Sequence, residues 1–193
     1  MKRPRHTIAK LILTIIAACL FQSCTGVNIP EAEKGLYTTA NIWYRHRGKI
    51  LSVNHHRGFI LPLGTRVKID SISGRAILFS DEQGAQYRLI LARKYTDPGF
   101  TIEELFRQYF TENNPMGKNG AFSKLNDMEK GNVKSGKIGM GMSKDAVLMA
   151  YGYPPSHVTP STDGDVWKYW DHKFRANLVF FRNNRVSEIR KDL

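Results

Sequence analysis

Cysteine is almost absent: Cys19 and Cys24 are the only two in 193 residues. A cut between them leaves no pair to bridge, so a disulfide framework is excluded and the folded part must be held by its own core. Acidic residues are missing from the first thirty positions, Glu31 being the first. Long apolar runs are missing as well, since the stretch from Leu11 to Phe21 falls well short of the roughly 20 residues a spanning helix needs. Catalytic signatures are lacking too. The chain has no Gly-x-Ser-x-Gly, no His-Glu-x-x-His and no further thiol to act as nucleophile. It therefore reads as a non-enzyme, with no cofactor and no metal ligand set.

What stands at the N-terminus is Lys2, Arg3, Arg5 and Lys10 ahead of the apolar run, the order of a secretory signal with a charged and then a hydrophobic region. The residues leave open an ordinary cleaved signal ending near Ala17-Ala18-Cys19, or an uncleaved anchor. Leu20-Phe21-Gln22-Ser23-Cys24 resembles the lipobox of bacterial lipoproteins, with Phe21 where that family usually carries Leu. The resemblance implies a signal peptide over 1–23, acylation of the Cys24 thiol (with palmitate as a reporter of it) and a tether over 24–36. Thr25 follows the cysteine where the enterobacterial inner-membrane retention signal places Asp. The implied location is the outer membrane, lipid-anchored and facing the periplasm.

Charge bounds the partners. Of 29 Lys and Arg, four precede residue 24 and none of the 17 acidic residues does, so 25 basic residues against 17 acidic leave a surplus of +8. Such a surplus favours anionic partners, which in an envelope means phospholipid headgroups, lipopolysaccharide phosphates, peptidoglycan or acidic proteins rather than nucleic acid.

The fold class expected is α+β. From Tyr37 onward short apolar runs, including Phe59–Leu63, Arg66–Ile72, Arg75–Phe79 and Gln86–Leu91, are separated by Gly-containing turns, which predicts a small antiparallel β-barrel-like domain over 37–112. Val67 and Ile69 alternate with Lys68 and Asp70, so one face is wet. Ile102, Leu105, Phe106, Tyr109 and Phe110 place an apolar stripe on a helix that closes this domain, and Thr101 with Glu104 writes its capping box. Asn, Gly and Pro clustered between Asn113 and Gly120 predict a linker over 113–131, in which Phe122, Leu125 and Met128 can make a turn or two of helix before Gly131. In 132–193, Ser143 caps a helix carrying Val147, Leu148 and Tyr151 that Gly152, Pro154 and Pro155 end. Runs at Val166–Trp170, Ala176–Phe181 and Arg185–Arg190 then predict a three-stranded antiparallel meander, two layers in all.

Gly141-Met142-Ser143-Lys144-Asp145-Ala146-Val147, Tyr151-Gly152-Tyr153-Pro154, Trp167-Lys168-Tyr169, Val179-Phe180-Phe181 and Arg185-Val186 together resemble the SmpA/OmlA, or BamE-like, domain of envelope lipoproteins. The resemblance covers about residues 132–193. It implies short helices against a three-stranded sheet, and a binding or scaffold role in outer-membrane protein assembly or envelope integrity. Fold alone does not carry function.

Arg45, Arg47, Lys49 and Arg57 form the candidate anionic-ligand surface, with His46, His55 and His56 among them and Trp43 and Tyr44 beside them. Cations next to aromatic rings suit a headgroup or a glycan. Adjacent His55 and His56 point to opposite faces of an extended chain and cannot readily chelate one ion. The function expected is binding: to envelope proteins, with membrane contact through acylated Cys24, or alternatively to peptidoglycan or lipopolysaccharide. An envelope enzyme comes third.

Overall fold

The computed structural model describes residues 35–53, 55–172 and 175–192, all within the compact unit Glu31–Leu193. Residues 1–34, which hold the expected signal, Cys24 and most of the expected tether, lie outside the described residues. What is described is mixed α+β, rich in sheet, with three α-helices.

The period-2 pattern at Arg66 does what it predicts. Strand β5 (Arg66–Ser73) buries Val67 and Ile69 and exposes Lys68 and Asp70. It lies in a six-stranded sheet with β1 (Leu36–Thr38), β3 (Ile50–Leu51), β6 (Ala76–Asp81), β7 (Gln86–Ile90) and β8 (Phe110–Thr111), in the order β3-β7-β6-β5-β1-β8, curled into a half-barrel. One pair departs from the antiparallel expectation, since β3 runs parallel to β7. The reason is that β2 (Ile42–Tyr44) does not fold back on β3 but pairs with β4 (Phe59–Leu61) as a separate ribbon. Freed from a hairpin, the chain after β2 crosses to the far edge, where Arg88 N–H donates to Arg47 O at 2.8 Å and Ser52 N–H to Ile90 O at 2.9 Å.

Helix α1 (Ile102–Tyr109) starts at the capping box read from sequence: Thr101 Oγ1 accepts from Glu104 N–H, and Glu104 accepts from Thr101 N–H at 2.6 Å. Ile102, Leu105 and Tyr109 are buried beneath the sheet. Phe110 ends the helix one residue before the apolar stripe does, turning extended to become β8 and packing its ring 5.0 Å from Phe79.

The stretch 113–131, expected as a linker, carries a 3-10 turn at Ala121–Lys124 and most of α2 (Asp127–Ser135). Asn126 caps α2 and Glu129 completes the box, so the helix begins at an Asn and runs on through Gly131. It stops at Gly136, whose φ of 60° is left-handed; a Cβ there would sit 2.7 Å from both Ile60 and Trp43 on the β2–β4 ribbon. Helix α3 (Lys144–Tyr151) starts where Ser143 Oγ accepts from Ala146 N–H and ends at Gly152.

Strands β9 (Val166–His172), β10 (Arg175–Arg182) and β11 (Arg185–Asp192) form the antiparallel sheet in the order β11-β10-β9. Asn183 and Asn184, at φ 52° and 59°, turn β10 into β11 with the handedness a two-residue hairpin requires. Alternation sends Trp167 and Tyr169 inward, both fully buried, and leaves Val166, Lys168 and Trp170 on the other face. The inward face packs with α2 and α3 in one core that includes Val133, Val147, Val179 and Phe181. Phe122 and Leu125 from the expected linker and Leu63 from beyond β4 join it.

Candidate anion-binding groove

Strand β2, the segment running from it into β3 and the stretch that leads on toward β4 line a groove of about 290 Å³. Ribbon pairing of Trp43 with Ile60 and Tyr44 with Phe59 fixes its aromatic side. Beyond Tyr44 the chain turns, with Lys49 N–H donating to His46 O at 3.0 Å, and Ile50 then drops into the core as β3 begins. On the return, Arg57 N–H donates to His55 O at 2.7 Å, a tight bend that faces Arg57 to the same space. Arg45, Lys49 and Arg57, all exposed, therefore line one groove with Trp43 and Tyr44.

Of the four cations singled out in the sequence, the structure brings three together and turns the fourth away. Arg47 does not line the groove. Its guanidinium lies 5.7 Å from the centre of the Tyr87 ring, and a hydrogen bond to Tyr44, followed by attraction to Tyr87, raises its pKa above the ordinary arginine value. Tyr87 is itself fixed from below, its hydroxyl donating to Asp81 at 3.0 Å; burial first and that bond second push its pKa up to about 12. Arg47 thereby braces Tyr44, whose ring also packs 5.6 Å from Tyr87.

Sequence reasoning missed two participants. Asp171, one residue past the Val166–Trp170 run, reaches the groove from β9, and its carboxylate is already engaged by Arg175 at 3.2 Å and Asn177 at 2.9 Å. It gives the groove one acidic corner among its cations. His56, placed among the cations in the sequence, is the other. While His55 lines the groove, His56 points the other way and is buried, stacked 3.9 Å on Tyr151 with Trp43 and Tyr169 edge-on at 5.7 and 5.4 Å. Its Nε2–H donates to Tyr151 O at 2.9 Å, and burial pushes its pKa down to about 4, so the ring is neutral at physiological pH. No local signal separates these two histidines, because the partner that buries one is 95 residues away.

Cations on a rim with apolar walls can hold a carboxylate or phosphate while an attached sugar or acyl group covers the rings. Among the described residues no group of three or more His, Cys, Asp or Glu is placed to hold a metal ion, and no helix is long and apolar enough to cross a membrane. At Asp163-Gly164-Asp165, whose residue types suit calcium, the Lys144 ammonium already donates to Asp163 O at 2.8 Å and lies 3.5 Å from Asp165. A fixed positive charge there repels a cation. Compared with family models, curated proteins and solved structures, the chain matches none.

Proposed function

We propose that this chain is an envelope lipoprotein, tethered to the outer membrane through acylated Cys24, that works by binding, with its groove holding an anionic group of the partner. The observation that carries the reading is the convergence of Arg45, Lys49 and Arg57 on one aromatic-walled groove. Three like charges so placed repel one another and gain from a shared anion. Phe59, 66% exposed and packed 5.7 Å from Tyr44, extends the apolar wall outward and suits a macromolecular partner more than a free ion. Outer-membrane protein assembly is the leading context. Its support is the BamE-like motif order, together with two short helices lying on one face of a three-stranded antiparallel sheet. A barrel-like character for the curled N-terminal sheet, and kinship of the C-terminal layers with that family, belong to the same proposal.

Full-length chain, extracted from envelopes in mild detergent, provides the test. Palmitate-analogue label should enter the wild type and be absent from Cys24→Ala. Pull-down with the wild type should recover β-barrel assembly subunits, and Arg45→Ser/Lys49→Ser/Arg57→Ser should lose them. Recovery on purified sacculi or lipopolysaccharide instead, with the same dependence on the three cations, would move the groove to a glycan partner. Binding indifferent to all three would overturn it.

A further inference from the structure

Strand β11 is one of the two edge strands of its sheet, and only its start is covered. Gly141 N–H donates to Val186 O and Val186 N–H to Met142 O, each at 2.8 Å. Past Ser187, Glu188, Ile189, Arg190 and Lys191 are all exposed, and among the described residues no backbone group bonds to their outer side. Which groups point outward follows from the ladder. Phe181 N–H donates to Asp165 O at 2.8 Å, toward β9. Val179, two residues back on β10, turns its N–H and C=O the same way. Its partner on β11 is Ile189, so that pair exchanges no hydrogen bonds, and Ile189 holds its N–H and C=O outward. The register slips by one residue at Ser187, between the Phe181–Val186 and Phe180–Glu188 pairs, and that slip brings Ile189 into this position.

We propose that two copies of this chain pair antiparallel along β11, with Ile189 of one opposite Ile189 of the other. In that register the two Ile189 residues exchange both N–H···O bonds. Glu188 then faces Arg190 of the second copy, and Arg190 faces its Glu188, at the closer spacing of a pair that shares no backbone bonds. Charges on a free edge usually block pairing. Here the opposite signs flank one exposed apolar residue symmetrically, so a two-fold copy matches them where most other sequences would not. Each Arg190 is already held in place, 2.8 Å from Glu188 of its own strand and 4.7 Å over the centre of the Phe180 ring. Pairing extends that ion pair into four alternating charges. Lys191 falls opposite Ser187 of the second copy, so no like charges meet. The two three-stranded sheets become one of six strands, and pairing stops where Gly141 and Met142 cover Val186.

Native mass spectrometry of the full-length chain released from detergent micelles, across a concentration series, tests this. The expected result is a dimer whose dissociation constant rises at least about tenfold in Glu188→Arg and in Arg190→Glu, because each sets like charges together twice. It should return to within about threefold of wild type in Glu188→Arg/Arg190→Glu, which restores every pair with its sign exchanged. Far-ultraviolet circular dichroism checks that the exposed substitutions leave the fold intact. A monomer at every concentration, a dimer indifferent to the single reversals, or a double variant that fails to recover would each overturn the proposal.

Discussion

The side-chain amide of Asn41 donates to the carbonyl of Val133 at 2.7 Å, across 92 residues of chain. The same nitrogen reaches Ala150 O at 3.2 Å, and Asn41 Oδ1 accepts from Leu63 N–H at 2.9 Å. One buried residue just ahead of β2 thus ties the ribbon to the ends of α2 and α3. Removing it leaves buried backbone groups without partners, each costing about 1–3 kcal/mol. Asn41→Ala should therefore destabilise the protein by about 2–4 kcal/mol. Chemical denaturation of the two proteins should show it, and a change below about 0.5 kcal/mol would mean that water replaces the amide at no cost.

Two glycines, one inside α2 and one that ends it, should respond with opposite signs. At Gly136 the backbone is left-handed, and a Cβ meets Ile60 and Trp43 at 2.7 Å, so Gly136→Ala should lose more than about 1 kcal/mol through strain and a pushed-apart ribbon. Gly131 is exposed inside the helix with open space around it, so Gly131→Ala should gain about 0.5–1 kcal/mol. Thermal melts of the pair distinguish them.

Stability should fall as pH drops, in two windows. His56 has its pKa lowered from 6.5 to about 4 in the folded protein, so between those values the unfolded chain binds a proton that the native state refuses. Stability is full above pH 6.5 and declines by about 3 kcal/mol on the way to pH 4. Glu129 acts lower. Burial works against its charge, but the N–H of Ser143, that of Asn126 and the Arg185 guanidinium outweigh it and hold its pKa below 4.5. Its contribution is present above the unfolded value and is lost as pH falls through the folded one. His56→Gln should flatten the upper window alone and Glu129→Gln the lower, as read from denaturation midpoints against pH.

Much of this was legible where the determinant is local. Thr101 with Glu104, Ser143 with Gly152, and the Val166–Trp170 alternation each place an element within a residue or so, because a cap or a period-2 face is a property of neighbours. Helix α2 was obscured although Asn126 with Glu129 writes its capping box, because Gly131 sits inside it and its buried face amounts to little more than Glu129 and Val133. The β2–β4 and β3–β7 pairings were not legible, since nothing between Ile42 and Leu51 says that β2 passes over β3, its neighbour in sequence, to pair with β4. The cationic cluster was visible as composition. That Arg47 leaves it for Tyr87, and that Asp171 enters it from β9, depends on contacts between strands far apart in sequence.

The two tryptophans of β9 should separate cleanly. Trp167 has no exposed surface, packs 4.5 Å from Phe181, donates from Nε1 to Gly164 O at 3.0 Å and has the Lys144 ammonium 5.8 Å from its ring. Trp167→Ala should cost about 3–5 kcal/mol. Trp170 is partly exposed with Lys168 4.9 Å over its ring, so Trp170→Ala should be milder. Equal, small shifts in melting temperature would contradict the inward packing of Trp167.

The central claim is that the groove binds an anionic group, and a nuclear magnetic resonance titration of the full-length chain in zwitterionic micelles tests it most directly. With inorganic pyrophosphate as the probe at low salt, saturable shifts should appear at Arg45, Lys49 and Arg57 and at the Trp43 indole. They should fade as salt is raised and be absent from Arg45→Ser/Lys49→Ser/Arg57→Ser. Shifts scattered over surface lysines, or unchanged in that variant, would contradict the account.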